Sequence, residues 1–268
     1  TKGGGVGVYR AAKFEMNGGT ISDNTANQGG GVYVESGTFD MNDGTITGNT
    51  AKNEKASNNI NGGGVYVSNN GTFNMNDGAI SDNKATNSDE SNTTYGGGVY
   101  VSGGTFTMNG WASSVSKNTA KNGGGVSVSS GKFNMNDGKI SGNTGDGVFV
   151  HNDATFTVSR TPTVTGNTNT TNSAASNVYL MGSAYITIGN QGLNGSDGSI
   201  GVTKLPNSSP AEIVIANGVN EDYSGKFSSD DETREVKYEN KQLVLKKKAT
   251  QPSEHTHSYN ENTWGKNA

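Results

Sequence analysis

The chain has 268 residues, of which only 29% are apolar and 16% charged. A thick-cored globular enzyme domain normally carries about 45 to 50% apolar residues, so the composition argues against one. It has no cysteine for disulfides or thiolate metal sites, and its 24 acids against 20 bases, a net charge of −4, do not suit a nucleic-acid partner. No apolar run is long enough for a transmembrane segment. What replaces the missing apolar residues is 41 glycines and 36 asparagines. Disorder is the next expectation from such a composition, but the few apolar residues recur at fixed places.

In chain order, triple glycines begin at Gly3, Gly29, Gly62, Gly96 and Gly123, and a degenerate version follows at Gly145, Asp146 and Gly147. Each opens the same pattern. After Gly31 come Val32, Tyr33 and Val34, then Phe39 and Met41, an Asn-Asp-Gly turn, Ile46 and finally Asn49. The alternation Val-x-Val and Phe-x-Met has a period of two, which is strand spacing, and the glycines and Asn-Asp-Gly segments are turn chemistry. Each copy therefore predicts three short strands. Stacked about 4.8 Å apart, such copies place every backbone group in a parallel ladder and line their inward residues up as columns. Phe14, Phe39, Phe73, Phe106, Phe133 and Phe156 form one; Met16, Met41, Met75, Met108 and Met135 a second; Ile21, Ile46, Ile80, Val115, Ile140 and Val164 a third. Asn24, Asn49, Asn83, Asn118, Asn143 and Asn167 form a polar column at one corner. The expected fold is all-β: a parallel β-helix, a solenoid of about seven coils over residues 1–203, with a small β cap over 204–246.

The Gly-Gly-Val-Tyr opening, the Phe-x-Met-Asn centre and the Ser-x-Asn close resemble the repeats of right-handed parallel β-helix proteins secreted by gut bacteria. They resemble more loosely the chlamydial polymorphic outer-membrane protein repeats. The resemblance covers residues 3–188 and implies a right-handed, pectin-lyase-like architecture on a secreted or surface-displayed bacterial chain. Fold alone does not assign function.

Past the repeats, residues 177–203 hold a weaker copy and residues 234–246 predict a hairpin in the cap. Residues 247–268 read as a polar linker to a further module of a larger multidomain protein. His255 and His257 there lack the partners a metal site needs, and Asp43, Asp77 and Asp137 read as turn residues, so no metal and no cofactor is implied.

With the interior assigned, the outward positions are where chemistry can lie. On the first strand, Tyr33, Tyr66 and Tyr100 stand one copy apart, and the two longest insertions, residues 50–61 and 84–95, lie beside them with Glu54, Asp89, Glu90 and Tyr95. Two readings stay open. Rings at matched positions stabilise a sheet by packing on one another; exposed rings walled by polar loops suit the apolar faces of sugars. On the second strand Glu15 and Asp40 fall one copy apart, a separation compatible with a retaining glycosidase pair, about 5 to 5.5 Å. The functional expectation is a non-catalytic rigid scaffold, adhesin-like or glycan-binding, whose partners are glycans or a host surface. The alternative is a polysaccharide lyase or glycoside hydrolase of the same architecture, which needs acids and bases converging on one point.

Overall fold

The structure is a computed structural model that describes residues 2–53, 60–89, 92–205 and 210–249. Glu54, Glu90, His255 and His257 lie outside the described residues. The described chain is nearly all β, without an α-helix, and most of its strands pair in parallel with the equivalent strand of the next copy.

Three rows of strands carry the repeat. The first runs through Val6–Tyr9, Val32–Glu35 and Val65–Ser68, the openings of Val99–Met108 and Val126–Met135, then Val148–Val150 and Val178–Leu180. In the second, Phe14, Phe39, Phe73, Phe106, Phe133 and Phe156 are direct partners, and the row continues through Ile186 to Ala216. The third pairs Ile21, Ile46, Ile80, Val115, Ile140, Val164 and Ile200, then Phe227. This is the register the period-two pattern predicts. The phenylalanine rings lie 4.8 to 5.4 Å apart, centroid to centroid. From the second copy onward these columns are fully buried in one continuous core, whereas Phe14 in the first copy is 37% exposed.

Two corner features explain the polar composition. The first glycine of each triplet adopts a left-handed φ, +60° at Gly29, and the second sits where copies touch: a Cβ on Gly30 would lie 2.4 Å from the carbonyl oxygen of Gly63. At the neighbouring corner the asparagines form a continuous ladder. Asn49 donates from both its backbone N and its Nδ2 to Oδ1 of Asn83, at 2.9 and 3.0 Å, and its Nδ2 also reaches the Ile21 carbonyl. The same set recurs at Asn83, Asn118, Asn143 and Asn167, which satisfies these buried amides internally. Beyond the predicted column the ladder continues to Asn177 and closes on the Asp230 carboxylate, an acceptor for Asn177 N and Nδ2 at 2.8 and 2.6 Å.

The insertions are ordered into the stack. Thr25–Ala26, Thr50–Asn53 and Lys84–Asn87 pair in parallel, as do Ile60–Asn61 and Thr94–Tyr95. Between them lies a second small core of Ala51, Ile60, Ala85 and Ala120. The parallel pairing also runs past residue 203, into Phe227–Ser229. The stack then ends on the antiparallel strands Glu212–Asn217, Gln242–Lys247 and Arg234–Glu239, whose Leu243 and Leu245 join the main core.

Candidate functional site

The first-strand tyrosines are brought together, but not as an open platform. Tyr33 is 2% and Tyr100 8% exposed, and Tyr66 is half-buried. Their rings meet at 5.2 Å edge to face and at 5.1 Å tilted, so they present edges to one another and not a flat stack. What covers them comes from irregular positions. Tyr9 packs on Tyr33 at 5.7 Å where the first copy has only Gly7, and Lys2 Nζ and Ser68 Oγ donate to the Tyr33 hydroxyl at 2.8 and 3.0 Å. Further along, Ser127 leaves a gap between Tyr100 and Phe149. Tyr95 and His151 fill it, in contact with each other at 5.4 Å and with Tyr100 and Phe149 respectively. The result is an aromatic spine along the outside of the first row. Burial, reinforced by the neighbouring Tyr100, pushes the Tyr66 hydroxyl up to about 12, and burial likewise raises Tyr100 and lowers His151. These groups stay neutral at pH 7, as packed side chains do.

Asp89 belongs to a different place. The 84–95 insertion and the next copy flank an open cleft of about 510 Å³, lined by Ala85, Thr86, Asn87, Asp89, Asn92 and Thr94 on one side and by Thr119, Ala120 and Lys121 on the other, with Thr170 also lining it. Pairing of Lys84–Asn87 with Thr50–Asn53 fixes one wall, and the backbone of Lys121 and Asn122 donates to Thr94 Oγ1 and O, at 2.9 and 3.0 Å, to fix the other. Thr94 lines this cleft while the adjacent Tyr95 turns to the aromatic spine, as alternation along a strand requires. The lining offers hydroxyls, amides, one carboxylate and one ammonium, and volumes of this order hold small ligands.

Glu15 and Asp40 are adjacent in register, as expected, but Lys13 bridges them: its Nζ binds Glu15 and lies 3.1 Å from Asp40. Burial disfavours the Asp40 charge, yet hydrogen bonds from Asn74, at 2.7 Å, and Lys13 outweigh it and hold the carboxyl below its ordinary value. A general acid needs the opposite shift. Asp43 and Asp77 each accept the N–H of the following glycine, which is turn chemistry, and Asp137 pairs with Arg160 at 2.7 Å. Among the described residues, no group of three or more His, Cys, Asp or Glu could hold a metal ion, and no helix is long and apolar enough to cross a membrane.

Sequence reasoning missed Lys121, which lies a copy away from the insertion it faces, and Trp111, an 85% exposed ring on the turn after Met108. A lone Trp between two strands was the only signal available for the second. No protein-family model, curated protein or solved structure matches the chain.

Proposed function

We propose that this chain is a non-catalytic scaffold, secreted or displayed on a bacterial surface, that binds glycans in the cleft beside its 84–95 insertion. The stack is read as a right-handed, pectin-lyase-like parallel β-helix of about seven coils, the architecture its repeats resemble. The observation that carries the binding reading is the cleft itself, an open concavity whose lining mixes polar groups with Ala85 and Ala120, at one of the two places where the repeat is lengthened by an insertion. Sugar hydroxyls are donors and acceptors together, and a lining that mixes Asp89, Lys121, asparagine amides and threonine hydroxyls can serve both roles. The tyrosines support this reading as a rigid wall behind Thr94, since a pre-formed site loses less freedom on binding.

Cleavage of polysaccharide is the alternative chemistry, and the acidic pair that the repeat aligns, Glu15 and Asp40, does not favour it, because Lys13 bridges the two carboxylates. The test is a glycan array probed with the chain and with Asp89→Ala and Lys121→Ala. Binding that drops at least tenfold in both variants, with unchanged thermal midpoints, supports the cleft. Absence of any bound glycan, or equal binding by all three chains, defeats it.

A further inference from the structure

The stack carries a second asparagine ladder, on its outer surface where the second row of strands ends. Asn42 Nδ2 donates to Asn17 Oδ1 at 2.7 Å, Asn76 to Asn42 at 2.9 Å, Asn109 to Asn76 at 3.1 Å and Asn136 to Asn109 at 2.9 Å. A side-chain amide has two N–H groups and two lone pairs. In the buried ladder they are fully engaged: Asn49 Nδ2 reaches the Ile21 and Thr47 carbonyls as well as Asn83 Oδ1, and its Oδ1 accepts both N and Nδ2 of Asn24. In the outer ladder Asn42, Asn76 and Asn109 each use one N–H and one lone pair on their neighbours, and Asn17, Asn42 and Asn76 are exposed. Successive copies thus offer a donor and an acceptor to the outside, over about 19 Å at roughly 4.8 Å a step. Beside Asn109 the turn differs from its equivalents. Asn42 and Ile46, Asn76 and Ile80, and Asn136 and Ile140 are four positions apart, Asn109 and Val115 six, and this longer turn contains Trp111. Its backbone is held: Ser113 N donates to the Gly110 carbonyl at 3.1 Å, Ser114 N to Gly78 at 3.0 Å, Lys139 N to Ser113 at 2.9 Å, and Arg160 Nη2 to Asn109 at 3.0 Å. A fixed turn therefore presents a ring that is 85% exposed and does almost no packing.

We infer that this corner is a second carbohydrate site, for a chain of β-1,4-linked pyranoses lying along the stack, with one sugar on Trp111 and its neighbours on the asparagine amides. A pyranose has apolar C–H faces that pack on an indole ring and a rim of hydroxyls that both donate and accept, which is the pairing this corner offers. β-1,4-linked chains are extended ribbons that advance by about one copy height per sugar, so hydroxyls of successive sugars meet successive amides. α-1,4-linked chains coil away from a straight ladder. The amides are ordered beforehand by their bonds to one another, which lowers the entropy lost on binding. A protein or membrane partner would need apolar area around the ring, whereas the turns stacked on either side carry Asn76, Asp77, Asn136 and Asp137. The site lies at a different corner from the cleft beside the 84–95 insertion and does not rest on that reading.

Calorimetry with cellohexaose, mannohexaose and xylohexaose tests it. At least one should bind the chain, at least tenfold more tightly than its own disaccharide and than maltohexaose. In a Trp264→Phe background, which leaves Trp111 as the only tryptophan, the bound sugar should move the emission to shorter wavelength. Trp111→Ala should weaken binding at least tenfold with an unchanged thermal midpoint, and Asn42→Ser combined with Asn76→Ser at least threefold, while Asp89→Ala and Lys121→Ala have no effect. No binding of any hexaose at about 1 mM overturns the proposal, as does binding that survives Trp111→Ala or that a disaccharide or maltohexaose matches. Binding lost in Asp89→Ala but kept in Trp111→Ala also overturns it, because the sugar then sits in the cleft.

Discussion

Asn118 holds three copies of the repeat at once. Its Nδ2 reaches the Ile80 carbonyl and Asn143 Oδ1, and its Oδ1 accepts both amide groups of Asn83. An Asn118→Ala change strands a buried backbone N–H among other groups, and each buried unsatisfied group costs about 1 to 3 kcal/mol. The expected loss is about 3 kcal/mol, read as a lower urea midpoint with an unchanged slope. Asp146 gives the residue scale a pH dependence. Burial, only partly offset by Ser176 and the Gly123 N–H, raises its carboxyl to about 6, from a usual 3.8. The folded state therefore holds this proton after the unfolded state has released it. The stabilisation is complete below about pH 4 and is lost as pH rises through 6, by up to about 3 kcal/mol at 1.36 kcal/mol per unit. Unfolding at pH 4 and 7 measures it, and Asp146→Asn should remove the difference. The asparagine and phenylalanine columns could be read from sequence because one residue type recurs at one phase. The covering of Tyr33 and the Asp230 closure could not, because Lys2, Tyr9 and Asp230 stand outside the repeat and reach their partners only through the fold.

At the scale of the element, the two insertions behave as a small wing with its own core. Ile60 is fully buried there against three alanines and takes no part in the main columns. Truncation to alanine removes contacts worth about 2 to 4 kcal/mol from that cluster. The expected outcome of Ile60→Ala is local: faster amide exchange in Thr50–Asn53 and Lys84–Asn87, with the Phe73 and Phe106 strands still protected. A uniform loss of protection would mean that the wing and the stack unfold together. The sequence marks the insertions as departures in length, and it does not reveal their strands. Two-residue pairings such as Ile60–Asn61 with Thr94–Tyr95 are too short to show a period, and their partners are set by the copies that flank them. For the same reason Asp89 was legible as a loop residue beside the stack, whereas the facing Lys121 became a partner only once the copies were superposed.

For the whole molecule, the low apolar content is sufficient because the core is only as wide as the columns that three rows of strands enclose, and each copy buries its neighbours. That economy makes the far closure essential. Deleting residues 234–249 removes Leu243 and Leu245 from the core and opens the strand Glu212–Asn217 as a free edge. The shortened chain is expected to self-associate, seen as light scattering at concentrations where the parent is clear. A shortened chain that stays monomeric would show that the hairpin is dispensable.

Because the bonds between copies lie along the direction of stacking, tension applied between the two ends loads one ladder at a time. The glycine clusters, the degenerate one at Gly145 included, are spaced from 22 to 34 residues apart. At about 3.5 Å per extended residue, single-molecule stretching should give a sawtooth whose steps range from roughly 80 to 120 Å. The longest steps would come from the two copies that carry the wing, so the order in which copies yield could be read from the step lengths alone.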